Sequence, residues 1–262
     1  MASRAITLID LLKIRYPARD AKELFAGILR GDVFVAGEKV VKPGTRVAPD
    51  APLSLRDTPP YVSRGGAKLA AALDLWSIAC AGKVWIDAGC STGGFTDCLL
   101  QRGASLVYAV DVGVNLLNCR VRSDPRVRPM EGINIMTVSR ASLSPSPDSA
   151  VADLSFRSLR RAAAHILGLT AGGWGIFLVK PQFEYRAPPA SFRGVVREPG
   201  ALRAILSDLV AELAGEGVAV EKAAASPIRG RKGNREFLFL MRAGQRQEAA
   251  GKAELPDGLL LE

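Results

Sequence analysis

The sequence contains few of the residues and segments that form metal centres, disulfide-bonded secreted proteins and membrane-spanning helices. Its 262 residues include one histidine, His165, and four cysteines, none of them in a Cys-x-x-Cys pair. A Cys/His zinc site is therefore not expected. Unclustered cysteines without a recognisable secretion signal predict reduced thiols and a cytoplasmic protein. No apolar run reaches the ~18 residues that a bilayer-spanning helix needs, so no stable membrane association is expected.

Acidic residues are scarce relative to basic ones. Lys and Arg number 35 against 26 Asp and Glu, which gives a formal net charge of +9. Such a balance favours a polyanionic partner, with nucleic acid ahead of an anionic membrane surface; a basic protein without such a partner is the plain alternative. The apolar content of 48% suits a globular core. The length allows an α/β domain plus a small module.

The most informative segment is the glycine-rich run DAGCSTGGF at residues 87–95. An apolar run precedes it and a helix-like run, 96–100, follows, which predicts a strand, a tight turn and a helix N-terminus. Glycines let the backbone approach a ligand, and the first helical turn offers free N–H donors. A second apolar run, 106–111, ends in Asp111, an acid suited to two ribose hydroxyls. A nucleotide-like cofactor is the first hypothesis.

The spacing of the glycines distinguishes between cofactors. They stand at 89, 93 and 94, with Ser91 where the middle glycine of a dinucleotide fingerprint belongs. A nicotinamide enzyme therefore fits less well than an S-adenosylmethionine enzyme, and a purely structural turn remains an alternative. Cys90 is interpreted as a small buried residue rather than a nucleophile, because no base stands beside it.

Residues 1–57 have a pattern of their own. Ala21, Leu24, Phe25 and Ile28 recur at helical spacing, and a hairpin pattern follows at 33–41. Two short helices and a small sheet are too small for an enzyme but can present cations to phosphates; an ordinary solvated surface is the alternative. The cations concerned are Arg15, Arg19, Lys22, Arg30 and Lys39.

The remainder predicts a linker at 58–66, a domain at 67–242 and a loosely ordered tail at 243–262. Within the domain a helix over 67–76 leads into strands that end at Asp87, Asp111, Asp153 and Lys180. Helices at 158–169 and 200–215 and apolar runs at 218–220 and 236–240 complete the series. This alternation predicts a mostly parallel sheet covered on both faces.

Charged residues are expected to converge at the carboxyl edge of that sheet, where open α/β sheets bind ligands. Lys68, Asp153, Lys180 and Glu236 are the candidates, although any one of them alone could form an ordinary salt bridge. Glu236 opens its apolar run, so it reaches the same edge only if that strand is antiparallel. Two lysines and two carboxylates in one cleft are typical of a site that handles protons.

Eight blocks together resemble the TlyA family, often labelled hemolysin A. That family joins an RNA-binding module like that of ribosomal protein S-four to an FtsJ-like methyltransferase domain. The blocks are YVSRGGAK at 61–68, DAGCSTGGFTD at 87–97, AVDVG at 109–113, DLSF at 153–156, LVKPQFE at 178–184, GVVR at 194–197, SPIRG at 226–230 and GNREF at 233–237. Where the family usually continues with Gly-Gln after residue 113, this chain has Val114-Asn115, and Gly132-Ile133 replaces Arg-Thr.

The resemblance implies S-adenosylmethionine-dependent 2'-O-methylation of ribosomal RNA, typically at cytidine. It implies an α/β fold with a Rossmann-like methyltransferase sheet, one strand antiparallel, after a small N-terminal α+β RNA-binding domain. The partners would be ribosomal RNA or ribosomal subunits. The catalytic tetrad would be Lys68, Asp153, Lys180 and Glu236, with Lys180 accepting or steering the hydroxyl proton and the carboxylates orienting the lysines.

The resemblance and the glycine pattern also name binding residues. Those for the cofactor are Asp87, Gly89, Ser91, Thr92, Gly93, Gly94, Phe95, Asp111 and Val112. Those for RNA are Arg4, Arg15, Arg19, Lys22, Arg30, Lys39, Arg64 and Arg229. Two other functions stay open at this point: a membrane-active hemolysin, and an RNA-binding ribosome-assembly factor that has lost catalysis.

Overall fold

The computed structural model describes residues 5–56, 60–155 and 157–244. The chain divides into two compact units, Met1–Pro59 and Pro60–Glu262. No helix in the described ranges is long and apolar enough to cross a membrane. Arg4 and the greater part of the predicted tail lie outside the described residues.

The first unit is a small α+β fold. Two helices pack on a three-stranded antiparallel sheet of order β3-β2-β5, beside a two-stranded pair, β1-β4. Helix α2 begins where the Asp20 carboxylate accepts from the Lys22 and Glu23 N–H groups, and it ends at Gly31, whose φ is 78°. The elements are β1 Ile6–Thr7, α1 Leu8–Arg15, α2 Ala21–Arg30, β2 Val33–Val35, β3 Glu38–Lys39, β4 Arg46–Val47 and β5 Leu53–Leu55.

The apolar face of α2 is narrower than its periodicity predicts. Leu24 and Ile28 are buried against α1 and the sheet, but Phe25 is 47% exposed and Ala21 is also exposed. The prediction that all four residues form one buried face was wrong for Ala21 and Phe25, because so small a core covers only the residues that face α1 and the sheet. Phe25 is therefore a surface aromatic, next to Lys22.

The second unit begins with helix α3, Arg64–Leu75, three residues before the predicted start. Gly65 and Gly66 weaken the helical pattern in the sequence, since glycine is a poor helix former. A side chain on Gly66 would overlap the Tyr61 ring at 2.3 Å. The glycines therefore serve packing, and the last part of the predicted linker is helical.

Helices and strands alternate through most of this unit, and the structure adds one strand and two short helices to those that the sequence predicted. The helices are α4 Gly94–Gln101, α5 Cys119–Arg122, α6 Ala162–Gly168, α7 Pro181–Glu184 and α8 Pro199–Gly215. The strands are β6 Val84–Ala88, β7 Leu106–Asp111, β8 Val127–Glu131, β9 Ser149–Ala152, β10 Trp174–Val179, β11 Val218–Ala225 and β12 Phe237–Ala243.

These strands form one seven-stranded sheet of order β11-β12-β10-β9-β6-β7-β8. Strand β12 is antiparallel to both of its neighbours, and the pairs from β10 to β8 are parallel. The predicted single reversed strand is confirmed. Strand β8 was missed because Arg128 and Pro129 interrupt its apolar pattern; proline is tolerated there because β8 is an edge strand.

Alternating strand residues serve two cores. Trp85 faces α3 and α4, whereas Ile86 belongs to the core under α6 and α8. Both faces of the sheet are therefore covered, and a ligand can reach the strands only at their ends.

Candidate active site

Five charged residues of the second unit stand at the same edge of the sheet. Asp87 and Asp111 lie in the last two residues of β6 and β7, Asp153 and Lys180 directly follow β9 and β10, and Glu236 precedes β12. The reversal of β12 brings Glu236 to this edge. Val179 pairs with Phe237, so Lys180 and Glu236 occupy the next position of the ladder.

The glycine-rich loop curls tightly between β6 and α4. Gly89, Ser91 and Gly93 have φ values of 82°, 48° and 88°, in the left-handed region. A side chain on Gly89 would begin 2.7 Å from the carbonyl oxygen of Asp153. The loop therefore lies directly against Asp153, and glycine is required at that contact. Helix α4 begins at Gly94, and its first residues are buried.

Asp111 joins the two neighbouring loops. Its Oδ2 accepts from the Ser91 N–H at 2.8 Å and its Oδ1 from the Gly113 N–H at 2.7 Å. Each carboxylate oxygen retains a further lone pair, so the group can still accept from a ligand's hydroxyls. Ser91 and Thr92 beside it are exposed.

Asp87 supports the loop from behind. It is 0% exposed, and its Oδ2 accepts from the Thr96 hydroxyl at 2.6 Å, while its Oδ1 has no hydrogen-bond partner within the described part of the chain. Burial raises the pKa of Asp87 to about 7; the Thr96 hydroxyl opposes this rise and the Asp153 charge adds to it. In this conformation Asp87 has no direct access to a ligand at the edge.

Gly93, Gly94 and Phe95 also have packing roles. A side chain on Gly93 would start 2.8 Å from Leu117, and one on Gly94 would start 2.2 Å from the Ser63 hydroxyl. Phe95 is 3% exposed in the core between α3 and α4. Packing explains these three residues, and direct cofactor contact remains a prediction for the more open positions, Gly89, Ser91, Thr92, Asp111 and Val112.

An apolar rim, formed by Val112, Val114 and Leu116, stands beside Asp111. These side chains are 70%, 63% and 45% exposed, respectively. Glu131 holds their loop, because its Oε1 accepts from the Leu116 and Leu117 N–H groups at 3.0 and 3.2 Å. Sequence reasoning named only Val112 in this group. Apolar residues directly after a strand-ending acid were the available signal for the others.

Lys180 and Asp153 form an open ion pair. Nζ of Lys180 lies 2.6 Å from Asp153 Oδ1, a contact without the directionality of a hydrogen bond, and it donates to the Leu154 carbonyl at 2.9 Å and the Ser155 hydroxyl at 3.1 Å. Nζ thus donates two directed hydrogen bonds, and the third proton of its ammonium group has no directed acceptor among the described residues. The Lys180 and Asp153 side chains are 11% and 26% exposed, so this pair is reached from outside on the Asp153 side.

Lys68 and Glu236 form a closed ion pair. Nζ of Lys68 donates to Glu236 Oε2, and the two residues are only 8% and 5% exposed. The predicted tetrad is therefore arranged as two lysine–carboxylate pairs, one buried and one open. Each lysine touches a carboxylate rather than the other lysine.

Buried Glu184 braces the open pair. Glu184 is the last residue of α7, the short helix that directly follows Lys180. Its carboxylate accepts hydrogen bonds from the Ser158 hydroxyl at 2.5 Å and the Leu159 N–H at 2.9 Å. Burial raises its pKa, against the effect of Ser158 and Arg160. Glu184 thereby ties the element that carries Lys180 to the chain that follows Asp153. The motif at 178–184 contained this residue, but its partners lie 24 to 26 positions away.

Cys90 is buried, as expected. Its exposure is 5%, and burial raises the pKa of its thiol, as does the nearby Asp87. A thiol that resists ionisation is a poor nucleophile, so Cys90 is a packing residue.

The sequence profile of FtsJ-like methyltransferases matches residues 61–243. The chain belongs to this family. It is a methyltransferase, and its methyl donor is S-adenosylmethionine. The alternative of a nicotinamide enzyme is thereby excluded.

Relatives extend the likeness over nearly the whole chain. TlyA of Mycobacterium tuberculosis, named a 16S/23S rRNA (cytidine-2'-O)-methyltransferase, is 39% identical over 92% of this chain and 91% of its own. A candidate rRNA methyltransferase of Bacillus subtilis, YqxC, is 38% identical over 98% and 92%. Hemolysin A of Brachyspira hyodysenteriae is 36% identical over 80% and 89%. A solved structure of a candidate hemolysin from Streptococcus thermophilus matches at 33% identity and a TM-score of 0.68, covering 96% of both chains.

The methyltransferase's predicted RNA-binding cations lie on both units. All seven described ones are exposed, but several have local partners: Arg15 donates to the Pro49 carbonyl at 3.1 Å and Arg30 pairs with Asp32 at 2.8 Å. Lys22 lines a groove with Lys13 and Phe25, two residues that the sequence reasoning did not name for RNA. The seven are Arg15, Arg19, Lys22, Arg30, Lys39, Arg64 and Arg229.

The raised pKa of Asp87 predicts a pH-dependent stability of the methyltransferase unit. Between its ordinary pKa of 3.8 and about 7, folded Asp87 holds a proton that the unfolded chain has lost, so stability falls as pH rises. We expect Asp87→Asn to reduce this slope, whose limit for one proton is about 1.4 kcal/mol per pH unit.

Urea unfolding at pH 5, 6 and 7 measures the slope. Tryptophan fluorescence reports on this unit alone, because all three tryptophans lie at or beyond residue 76. Asp208→Asn, at an exposed position of α8, is the matched control and should leave the slope unchanged. An unaltered slope in Asp87→Asn would contradict the assignment.

Proposed function

We propose that this protein transfers a methyl group from S-adenosylmethionine to a ribose 2'-hydroxyl of ribosomal RNA, at cytidine. The observation that carries the proposal is the open Lys180–Asp153 pair, placed directly against the glycine-rich loop by the contact between Gly89 and the Asp153 carbonyl. The names of the relatives support RNA as the substrate and cytidine as its nucleoside. A cytoplasmic location follows from such a substrate.

The cofactor fits the loops at the carboxyl ends of β6 and β7. Asp111, already oriented by two N–H groups, would accept the ribose hydroxyls, and the apolar rim at Val112 would lie against a flat ring. The sulfonium of S-adenosylmethionine supplies an electrophilic methyl group.

Methyl transfer to a hydroxyl requires in-line placement and removal of one proton. Lys180 would orient the 2'-oxygen and stabilise negative charge on it, since its ammonium is fixed by Leu154 and Ser155. The O–H bond becomes more acidic as the new C–O bond forms, so even a carboxylate can take the proton. Asp153 is the accessible carboxylate in contact with Lys180.

Lys68 and Glu236 are proposed as positioning residues. The Glu236 side chain is 5% exposed against 26% for Asp153, and a neutral pair next to Lys180 would hold the adjoining strand ends in position. Removing one partner of a buried pair leaves an uncompensated charge, which is strongly destabilising.

The first unit is proposed to hold the RNA. Its exposed cations would contact phosphates, which position a protein on RNA without doing chemistry. Phe25, exposed beside Lys22, offers a face on which an unpaired base can stack.

Asp111→Ala should weaken S-adenosylmethionine binding about 10- to 100-fold, because hydrogen bonds to a charged group contribute roughly 1.5–3 kcal/mol. Isothermal titration calorimetry measures it. Asp74→Ala removes an exposed carboxylate of α3 and should bind the cofactor normally. Equal affinity in the two variants would remove Asp111 from the cofactor site.

Lys180→Met keeps the apolar stem and removes the amine. Turnover should fall ~100-fold or more, the scale of a lost group that stabilises developing negative charge, while cofactor and RNA affinities stay within a few-fold. The assay follows label from S-adenosylmethionine into ribosomal RNA, located in the ribose by nuclease digestion. Lys222→Met, exposed on β11, is the control. A wild-type protein that labels no RNA would overturn the proposed function, and a near-normal Lys180→Met would overturn the role of Lys180.

Replacing Lys13 and Lys22 together by Gln should weaken RNA binding and lower its log–log salt dependence by about one to two units, since each phosphate contact contributes roughly 0.7–0.9. Cofactor affinity should not change. The matched control replaces two exposed cations of the other unit, Arg203 and Lys222, by Gln. A salt dependence equal to that of the control would mean that this groove does not contact RNA.

A further inference from the structure

Asn234 is a buried amide that fastens two distant loops. It is 3% exposed; its Oδ1 accepts from the Val196 N–H at 2.9 Å and its Nδ2 donates to the Gly194 carbonyl at 2.8 Å. These partners lie 38 and 40 positions away along the chain. Asn234 therefore holds segment 192–197 against segment 226–235, and the two segments together are called the double loop.

The double loop is strongly basic. Its 16 residues include six Lys or Arg and no Asp or Glu. Arg235 lies over the Phe237 ring, and the other five side chains are exposed. Nζ of Lys232 lies 3.9 Å from the point where a side chain on Gly194 would start, so the charges of the two segments are close together. The five exposed cations are Arg193, Arg197, Arg229, Arg231 and Lys232.

So many positive charges close together repel one another, which raises the electrostatic free energy of the protein unless an anion binds to them. The only carboxylates that adjoin the two segments in sequence are Glu198 and Glu236, against six cations. An ordinary solvated surface carries flexible cations interspersed with acidic residues. In the double loop, by contrast, the buried Asn234 amide fixes the backbone of both segments.

The double loop is also connected to the active site. The Ser226 N–H donates to the Glu236 carbonyl at 2.8 Å, and a side chain on Gly230 would start 2.4 Å from Glu236 Oε1. The same turn that carries the cations therefore shapes the surroundings of Glu236, next to Lys180 in the sheet.

We propose that the double loop is a phosphate-binding surface for the RNA backbone next to the target nucleotide, and that Asn234 is its positioning residue. The inference rests on the proposed function, because it takes RNA as the substrate. Backbone phosphates are the anions that such a row of cations fits, and Arg side chains bind them bidentately. Asn234 would hold the cations of segment 192–197 in the position from which they contact the RNA phosphates.

The charges are tested in the full-length protein by replacing Arg231 and Lys232 together with Gln. The KM for ribosomal RNA should rise about 10-fold or more at moderate salt, and the log–log salt dependence should fall by about one to two units. The cofactor affinity and the thermal unfolding temperature should not change. The matched control is again Arg203→Gln with Lys222→Gln, which removes the same charge from the same unit.

Asn234 is tested by a double-mutant cycle between Asn234→Ala and Arg197→Gln. If Asn234 acts by holding Arg197 in place, Arg197→Gln should raise KM several-fold in the wild-type background and hardly at all in Asn234→Ala. Additive effects would show that Asn234 is merely structural. If Asn234→Ala fails to fold, the Arg231 and Lys232 variant still decides whether the surface binds RNA.

The outcomes separate the two proposals. A wild-type protein that methylates RNA, together with a double variant that behaves like its control, would overturn the phosphate-binding surface alone. A wild-type protein that transfers no label to any RNA would overturn the proposed function itself.

Discussion

The reversal of one strand makes this active site possible. In a purely parallel sheet the residue before a strand lies at the amino edge, far from the ligand site. Because β12 runs antiparallel between β10 and β11, the residue before it, Glu236, reaches the carboxyl edge and stands beside Lys180. The buried pair with Lys68 and the attachment of the double loop both depend on this placement.

The division of charge at the edge follows from solvation. A lone charge in a closed site is costly, so Lys68 and Glu236 neutralise each other where water is excluded. Lys180 and Asp153 are paired where a ligand can still reach them. Asp87 has no cation and responds through a raised pKa, retaining its proton at mildly acidic pH. The same edge of the sheet thus contains a buried ion pair, a partly exposed ion pair and a buried carboxyl group with a raised pKa.

Patterns within short segments predicted most of the fold. Alternating apolar runs indicated the parallel sheet, and a charge at the start of the last run raised the possibility of its reversal. The features that were not predicted depend on contacts between distant parts of the chain. Pro129 interrupts the strand pattern of β8, which pairs as an edge strand, and the small core of the first unit does not cover Phe25. The hydrogen-bond partners of Asn234 lie about 40 residues away. The tetrad was named from the sequence, but its arrangement as one open and one buried pair required coordinates.

Two kinds of contact have to act together on a long RNA. Phosphate contacts alone fix no single nucleotide, since every phosphate has the same charge. The cations proposed to bind RNA on the first unit would add affinity, whereas those of the double loop are fixed to the turn that carries Glu236. The double loop lies in the same unit as the active-site pair. The double loop is therefore expected to set how the RNA backbone lies beside Lys180, while the choice of the nucleotide requires contacts to bases or to the shape of the RNA.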